Sequence, residues 1–256
     1  MLLAIDISNK DTTLATFKGE KLRKLYRVTT KTPRTTDEYG VLFMDIIRLS
    51  NARAEDVEGI IIASVVPSVM YPVTNACRRY FHVRPLVVGP GVKTGVKVRA
   101  NNPRETGADL IVNCAAAVEL YGGPAIIVDY GTATSFTLML EDGTLDSVII
   151  APGIQTSLTS LSTQASMITD VEIRKPKHVL PHETSECIQA GIVYSTVGST
   201  QYIVRKMKEA SGLHNVKVIA TGGFGKMFAD EIDEIDFFDA LLPQHGLRII
   251  YEKNCG

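Results

Sequence analysis

Two stretches of the 256-residue chain repeat one design, and that repetition limits the folds open to it more than any other feature. Residues 1–17 begin with the apolar run Leu2-Leu3-Ala4-Ile5, closed by Asp6. Polar residues follow from Ser8 to Thr13, and a second apolar stretch reaches Phe17. Residues 125–140 do the same. Ala125-Ile126-Ile127-Val128 ends in Asp129, the turn reads Tyr130-Gly131-Thr132-Ala133-Thr134-Ser135, and Phe136 to Leu140 is apolar again. Each stretch reads as strand, turn, strand, with an acid and several hydroxyls at the tip. The expectation is an internal duplication: two lobes, each offering one such hairpin.

The segments between them alternate. Thr36 to Leu49 carries apolar residues at helical spacing behind Asp37-Glu38, and Gly59 to Val66 is the continuous apolar run of a buried strand. Pro67 to Tyr80 reads as helix and Pro85 to Val88 as a short strand. A further helix starts near Gly107-Ala108-Asp109 and runs to Tyr121, where Gly122-Gly123-Pro124 ends it. After Gly153 come a helix-like stretch, a loop through Pro176 and Pro181, and a helix from about Thr184 to Glu209. The strand Val216–Ala220 leads into the turn Thr221-Gly222-Gly223. Phe224 to Asp230 begins another helix, and Leu247 to Lys253 closes the chain. This alternation predicts an α/β protein of two lobes, divided as 1–115 and 116–256.

Composition removes several function classes. With 45% hydrophobic and 21% charged residues the chain has the profile of a globular protein, and its formal net charge of -1 lacks a Lys/Arg block. Neither nucleic acid nor an anionic membrane is therefore an expected partner. No apolar run approaches the roughly 20 residues of a membrane span, and Asp6 interrupts any leader core, so a cytoplasmic protein is expected. Cys77, Cys114, Cys187 and Cys255 are scattered, which predicts free thiols rather than a zinc site or a disulfide framework.

The hairpin tips suit phosphate. Binding one takes closely approaching backbone N–H groups, hydroxyl donors and a carboxylate-held metal. Asp129, Gly131, Thr132 and Thr134 supply these within one turn; Asp6, Ser8, Asn9 and Thr12 supply a rougher version, with Lys10 adding a positive charge. A plain polar β-turn draws on the same residue types. Gly222 and Gly223 would let a base or ribose lie against bare backbone, or simply ease entry into a helix. Asp109 fits either a helix cap or a general base for transfer to an alcohol. The GxxxxGK[ST] loop, the protein-kinase motifs, the GxGxxG fingerprint and the GxSxG elbow are all missing from the sequence.

In order along the chain, these segments resemble the type III pantothenate kinases of the actin-like ATPase superfamily. The resemblance rests on the Asp6 turn with Asn9, Ala63-Ser64-Val65-Val66-Pro67, Gly91-Val92-Lys93-Thr94-Gly95 and Asn102-Pro103-Arg104-Glu105-Thr106-Gly107-Ala108-Asp109. It continues through Asp129 to Thr134, Ala151-Pro152-Gly153-Ile154, Thr184 with Glu186 and Gln189-Ala190-Gly191, Ala220-Thr221-Gly222-Gly223, and Leu247-Arg248-Ile249-Ile250-Tyr251-Glu252. What the resemblance implies is a pair of ribonuclease H-like lobes with a nucleotide cleft between them. It implies transfer of the γ-phosphate of ATP to the primary hydroxyl of pantothenate, the first step toward coenzyme A. Asp109 would be the general base, and Asp129 would hold a monovalent cation (K+ or NH4+), with Asp6 a second metal-binding carboxylate and Mg2+ accompanying ATP. Asp6, Ser8, Asn9, Lys10, Thr12, Gly131, Thr132, Thr134, Gly222 and Gly223 would contact the nucleotide; Ala100, Gly107, Ala108, Leu110 and Thr184 would border pantothenate. A homodimer is implied, with a heteromer beside an active paralogue as the other pairing.

The departures from the family pattern cluster at the expected site. Ser8 and Lys10 replace a glycine and a threonine in the first turn. Leu110 replaces an arginine, Ala100 a tyrosine and Glu183 an asparagine, and the stretch Ala165-Ser166-Met167-Ile168-Thr169 is altered. Arg99 and Arg104 are the arginines left nearby to grip the pantothenate carboxylate. These changes leave a catalytically impaired homologue, binding nucleotide as a partner subunit or regulator, as the alternative expectation.

Overall fold

A computed structural model describes residues 1–100, 102–164 and 171–255, with Arg104 described by its backbone alone. The altered stretch 165–169 lies outside the described residues. The chain forms two compact units: Met1–Tyr121 with Leu241–Gly256, and Gly122–Ala240.

In the first unit the strands are β1 (Leu2–Ile7), β2 (Asp11–Lys18), β3 (Lys21–Thr29), β4 (Gly59–Ser64) and the two-residue β5 (Leu86–Val87), in the spatial order β3-β2-β1-β4-β5. Strand β1 pairs antiparallel with β2 and parallel with β4. Successive side chains of a strand face opposite ways, so each face of this sheet has its own cover. Leu3, Ile5, Ile7 and Leu14 meet Tyr39, Phe43, Ile47, Val73 and Phe81 from the helices α1 (Thr36–Leu49) and α2 (Met70–Phe81). On the reverse face Ala4, Ala15, Phe17 and Ile61 pack with Val112 and Ala115 of α3 (Ala108–Leu120). Leu247 and Ile250 of the chain's last helix join that cluster. Helix α1 starts at a capping box: the Glu38 amide donates to the Thr35 hydroxyl at 3.3 Å, and the Thr35 amide donates to the Glu38 carboxylate at 2.7 Å. A further two-residue strand, β6, spans Lys97–Val98.

The second unit repeats the plan. Strands β7 (Ala125–Tyr130), β8 (Ala133–Met139), β9 (Thr144–Pro152), β10 (Lys217–Thr221) and β11 (Phe237–Phe238) run in the order β9-β8-β7-β10-β11. Again the first strand is antiparallel to the second and parallel to the fourth. Asp6 lies opposite Thr13 and Ala63; Asp129, at the equivalent place, lies opposite Ser135 and Thr221. The expected duplication of a hairpin is therefore a recurrence of the whole sheet. Helices α4 (Ile154–Gln164), α5 (Thr184–Ser211) and α6 (Gly225–Ala229) complete the unit, whose core gathers Val128, Phe136, Leu158, Val193, Val204 and Phe228.

The closing helix α7 (Leu242–Cys255) begins five residues earlier than the sequence suggests, because Pro243 falls in its first turn, where a missing N–H costs nothing. It packs on α3 and β1, and so returns the chain to the first unit. The compact units part at Tyr121 and Gly122, after α3, whereas a division at 115/116 would cut that helix. No helix among the described residues is long and apolar enough to cross a membrane.

Candidate active site

The expected site residues fall into three local groups, two in the first unit and one in the second. The first group is the β1–β2 hairpin. Asp6 is half-buried near the end of β1, Ser8 closes the turn by donating its amide to the Asp11 carbonyl at 3.0 Å, and Asn9 and Lys10 stand exposed at the tip. Thr12 faces inward instead. It is 1% exposed, and its hydroxyl shares a 2.8 Å hydrogen bond with Thr30 in the interior.

The second group surrounds the start of α3. Gly107 precedes the helix with extended backbone, and Asp109 lies in the first turn, where its carboxylate folds back over Gly107. A Cβ at position 107 would overlap Asp109 Oδ1, so the missing side chain is what lets the carboxylate lie there. Burial pushes the Asp109 carboxyl above its ordinary 3.8, outweighing the pull of the Leu110 and Asp109 backbone N–H groups in the other direction. Ala108 and Leu110 are half-buried beside it, and Ala100 is exposed. Helix α3 packs on β4, the neighbour of the strand that carries Asp6. Arg99 is exposed; the Arg104 side chain lies outside the described residues.

The third group is the β7–β8 hairpin with the β10–α6 turn. Asp129 is half-buried at the end of β7. Gly222, with φ 89°, lies against it: a Cβ there would come within 2.5 Å of Asp129 Oδ1 and 2.7 Å of the Tyr130 backbone nitrogen. Only a glycine allows both that conformation and that approach. Gly223 is open, with nothing where a Cβ would be. Gly131 avoids the left-handed region, and a Cβ there would make only ordinary contacts, 3.4 Å from the Ala133 carbonyl oxygen and 3.7 Å from Asp129 Oδ1; its amide donates to the Ala133 carbonyl at 3.1 Å. Gly131, Thr132 and Ala133 are exposed and Thr134 is buried. Below the hairpin, Tyr130 is buried against Phe228, with ring centroids 5.0 Å apart, and its hydroxyl meets Thr200 at 3.2 Å; burial raises that phenol to about 12. Thr184, the first residue of α5, is exposed in the same unit.

Some residues of these groups were not singled out by sequence reasoning. Thr30 lies 18 residues from Thr12, and only the β2–β3 pairing brings the two together. Thr156 and Gly153 support the 131–132 turn, and Glu186 accepts the backbone N–H groups of Lys177 and His178 at 2.7 and 2.9 Å, tying the loop before α5 to that helix. Gly153 and Glu186 stood in the recognised motifs without a role. No group of three or more His, Cys, Asp or Glu able to hold a metal ion occurs among the described residues. A Mg2+ ion here would take one or two carboxylates and otherwise phosphate oxygens and water, which is its usual coordination.

Comparison with known proteins agrees with the fold and the motifs. The sequence model of the family described as type III pantothenate kinase matches residues 2–206. A type III pantothenate kinase of Agathobacter rectalis is 40% identical over 253 residues, covering 99% of this chain and 97% of that protein. One from Halalkalibacterium halodurans is 42% identical over 254 residues, covering 99% and 100%. Among solved structures, a Campylobacter jejuni protein described as a Baf family transcriptional activator aligns with a TM-score of 0.60 at 17% identity, covering 98% of each chain. A protein described as a 2-dehydro-3-deoxygalactonokinase from Sinorhizobium meliloti aligns at 0.56 and 11% identity, covering 100% and 97%. These two alignments speak for the fold alone, an α/β protein with two ribonuclease H-like units. With a family match over most of its length and relatives at 40% and 42% identity along nearly all of it, the chain belongs to the type III pantothenate kinases.

Proposed function

We propose that this kinase moves the γ-phosphate of ATP to the primary hydroxyl of pantothenate, with Asp109 as the base that takes the hydroxyl proton. The observation that carries the assignment is the placement of that carboxylate. It lies folded over Gly107 at the start of α3, half-buried, with burial raising its affinity for a proton. A carboxylate of this kind is a stronger base than a free one. Phosphoryl transfer asks little else of the protein beyond positioning and charge neutralisation.

On the nucleotide side Asp6, Ser8, Asn9 and Lys10 of one hairpin, and Gly131 and Thr132 of the other, are the proposed contacts, with Gly222 and Gly223 alongside the nucleoside; the buried Thr134 acts through the fold of its hairpin. Thr12 acts there through the fold of its hairpin, since its hydroxyl is engaged by Thr30. Asp129 and Asp6 are the proposed carboxylates for Mg2+ and a monovalent cation, whose chemistry when bound is to neutralise charge on the phosphate oxygens. Their oxygen donors suit hard cations of both kinds. The exposed Lys10 ammonium lends a further positive charge to the first hairpin. On the acceptor side Ala100, Gly107, Ala108, Leu110 and Thr184 would surround pantothenate, and a homodimer is the proposed assembly.

The test is a coupled assay with ATP, Mg2+ and pantothenate, with and without potassium. Asp109→Asn is expected to lower kcat by about 10²- to 10⁴-fold, the range of general acid–base catalysis, while binding of a non-hydrolysable ATP analogue is kept. Turnover of the Asn variant at the parental rate would remove Asp109 from the reaction.

A further inference from the structure

The turn between β7 and β8 is held from below by residues with no part in the reaction as described so far. Thr156, in the first turn of α4, donates its hydroxyl to the Thr132 carbonyl at 2.7 Å. Gly153, immediately before that helix, lies so close that a Cβ there would overlap the Thr132 carbonyl oxygen and come within 2.5 Å of the Gly131 oxygen. The helix also begins at this glycine, whose carbonyl accepts the Ser157 amide at 2.8 Å. Two successive carbonyls of the turn therefore face the start of α4.

That orientation has a consequence for the other side of the same peptide groups. In a planar trans peptide the N–H points opposite to the C=O. With the Gly131 and Thr132 oxygens turned toward Gly153 and Thr156, the amides of Thr132 and Ala133 point away from α4. The Gly131 amide is already committed to Ala133. The turn is left with two consecutive N–H groups and the exposed Thr132 side chain, a concave donor set of the kind that takes phosphate oxygens. A backbone donor set has to be fixed before the ligand arrives if binding is not to spend its free energy on ordering the loop.

We propose that Thr156, with Gly153, is a positioning residue for the nucleotide phosphates: its hydroxyl holds the Thr132 carbonyl so that the turn presents its amides to the ligand. The inference rests on the reading that the Asp129–Thr134 turn contacts ATP. The variants are Thr156→Val, which keeps the shape and removes the donor, and Thr156→Ser, which keeps the donor.

The measurements are the Michaelis constants for ATP and for pantothenate in the full-length enzyme, and calorimetric titration with a non-hydrolysable ATP analogue in the absence of acceptor. Thr156→Val is expected to weaken analogue binding and raise KM for ATP by about fivefold, the effect of losing one hydrogen bond. KM for pantothenate should stay within about twofold, since no atom of α4's first turn is assigned to that side. Thr156→Ser should restore ATP affinity. The proposal is overturned if Thr156→Val binds the analogue as the parent does, if both Michaelis constants rise together, or if the serine variant is as weak as the valine one. Because the titration needs no acceptor, a chain that binds the analogue but leaves pantothenate unphosphorylated would break the proposed function and leave the clasp testable. A parent chain that does not bind the analogue at all would sink the clasp itself.

Discussion

Asp109, the proposed base, serves two opposed ends, because the burial that strengthens its affinity for a proton also makes its ionised form costly in the folded chain. A carboxyl whose folded pKa is raised favours the protonated protein. The favourable contribution is complete below the unfolded value of 3.8 and is lost as pH climbs through the folded value. Asp109→Asn escapes that loss, so its melting temperature should exceed the parent's at neutral pH, with the gap closing as pH falls toward about 4; calorimetry across that range checks the trend. In the active enzyme the same shift should place the acid limb of kcat/KM above 3.8. Leu110, next along α3, offers no charge at the position where the resemblance implies an arginine. Leu110→Arg is expected to lower KM for pantothenate by about tenfold with little change in KM for ATP, the gain of one charge-assisted hydrogen bond, and steady-state kinetics with each substrate varied decides it. At this scale the sequence was a partial guide. Asp6, Asp109 and Asp129 could be picked out because an acid ending an apolar strand or opening a helix stands out from its neighbours. The inward turn of Thr12 was hidden, because its partner arrives only through a third strand.

The helix that positions Asp109 depends on an unusually close neighbour. Gly246 of α7 lies where a Cβ would overlap the Val112 carbonyl oxygen of α3, so the two helices touch backbone to backbone. Gly246→Ala has no flexible side chain to push aside and must part the helices. A loss of about 1–3 kcal/mol of stability is expected, together with a lower kcat, because the N-terminal turn of α3 moves with the rest. Denaturant melts and the coupled assay measure the two effects on one sample. Pattern reading explains why this contact was invisible beforehand. Gly246 and Pro243 look like punctuation, and the predicted end element therefore began only at Leu247. Strands β1, β4, β7 and β10 were legible because each is built on an unbroken apolar run: Leu2–Ile5, Ile60–Ala63, Ala125–Val128 and Val218–Ala220. The sequence of β3, Lys21 to Thr29, alternates exposed charge with half-buried Leu22, Tyr26 and Val28, and β9 likewise exposes Ile149 and Ile150. Strands with one wet face at the side of a sheet carry a weaker signal than central ones.

Across the whole molecule, one sheet order occurs twice, β3-β2-β1-β4-β5 and β9-β8-β7-β10-β11. The sequence betrayed this only at the two hairpins, since those tips keep their acid and hydroxyls while the remaining strands have diverged. The units also differ in how the chain composes them: the second is one continuous span, whereas the first needs both Met1–Tyr121 and the returning Leu241–Gly256. A chain ending at Ala240 should lose the cover that Leu247 and Ile250 give to Ala4, Ala15 and Ile61, and its first unit should unfold cooperatively or aggregate. Hydrogen exchange on that truncation is expected to show protection kept over β7, β8 and β10 and lost over β1 and β4; equal protection in both would mean α7 is dispensable.

The same interrupted path sets an order on the ribosome. The span from Gly122 to Ala240 is synthesised before the last helix of the first unit, so the part begun first is finished last. Nascent β1, β4 and α3 must then wait through the synthesis of an entire second unit with one apolar face uncovered, the interval in which a trigger-type chaperone has most to protect.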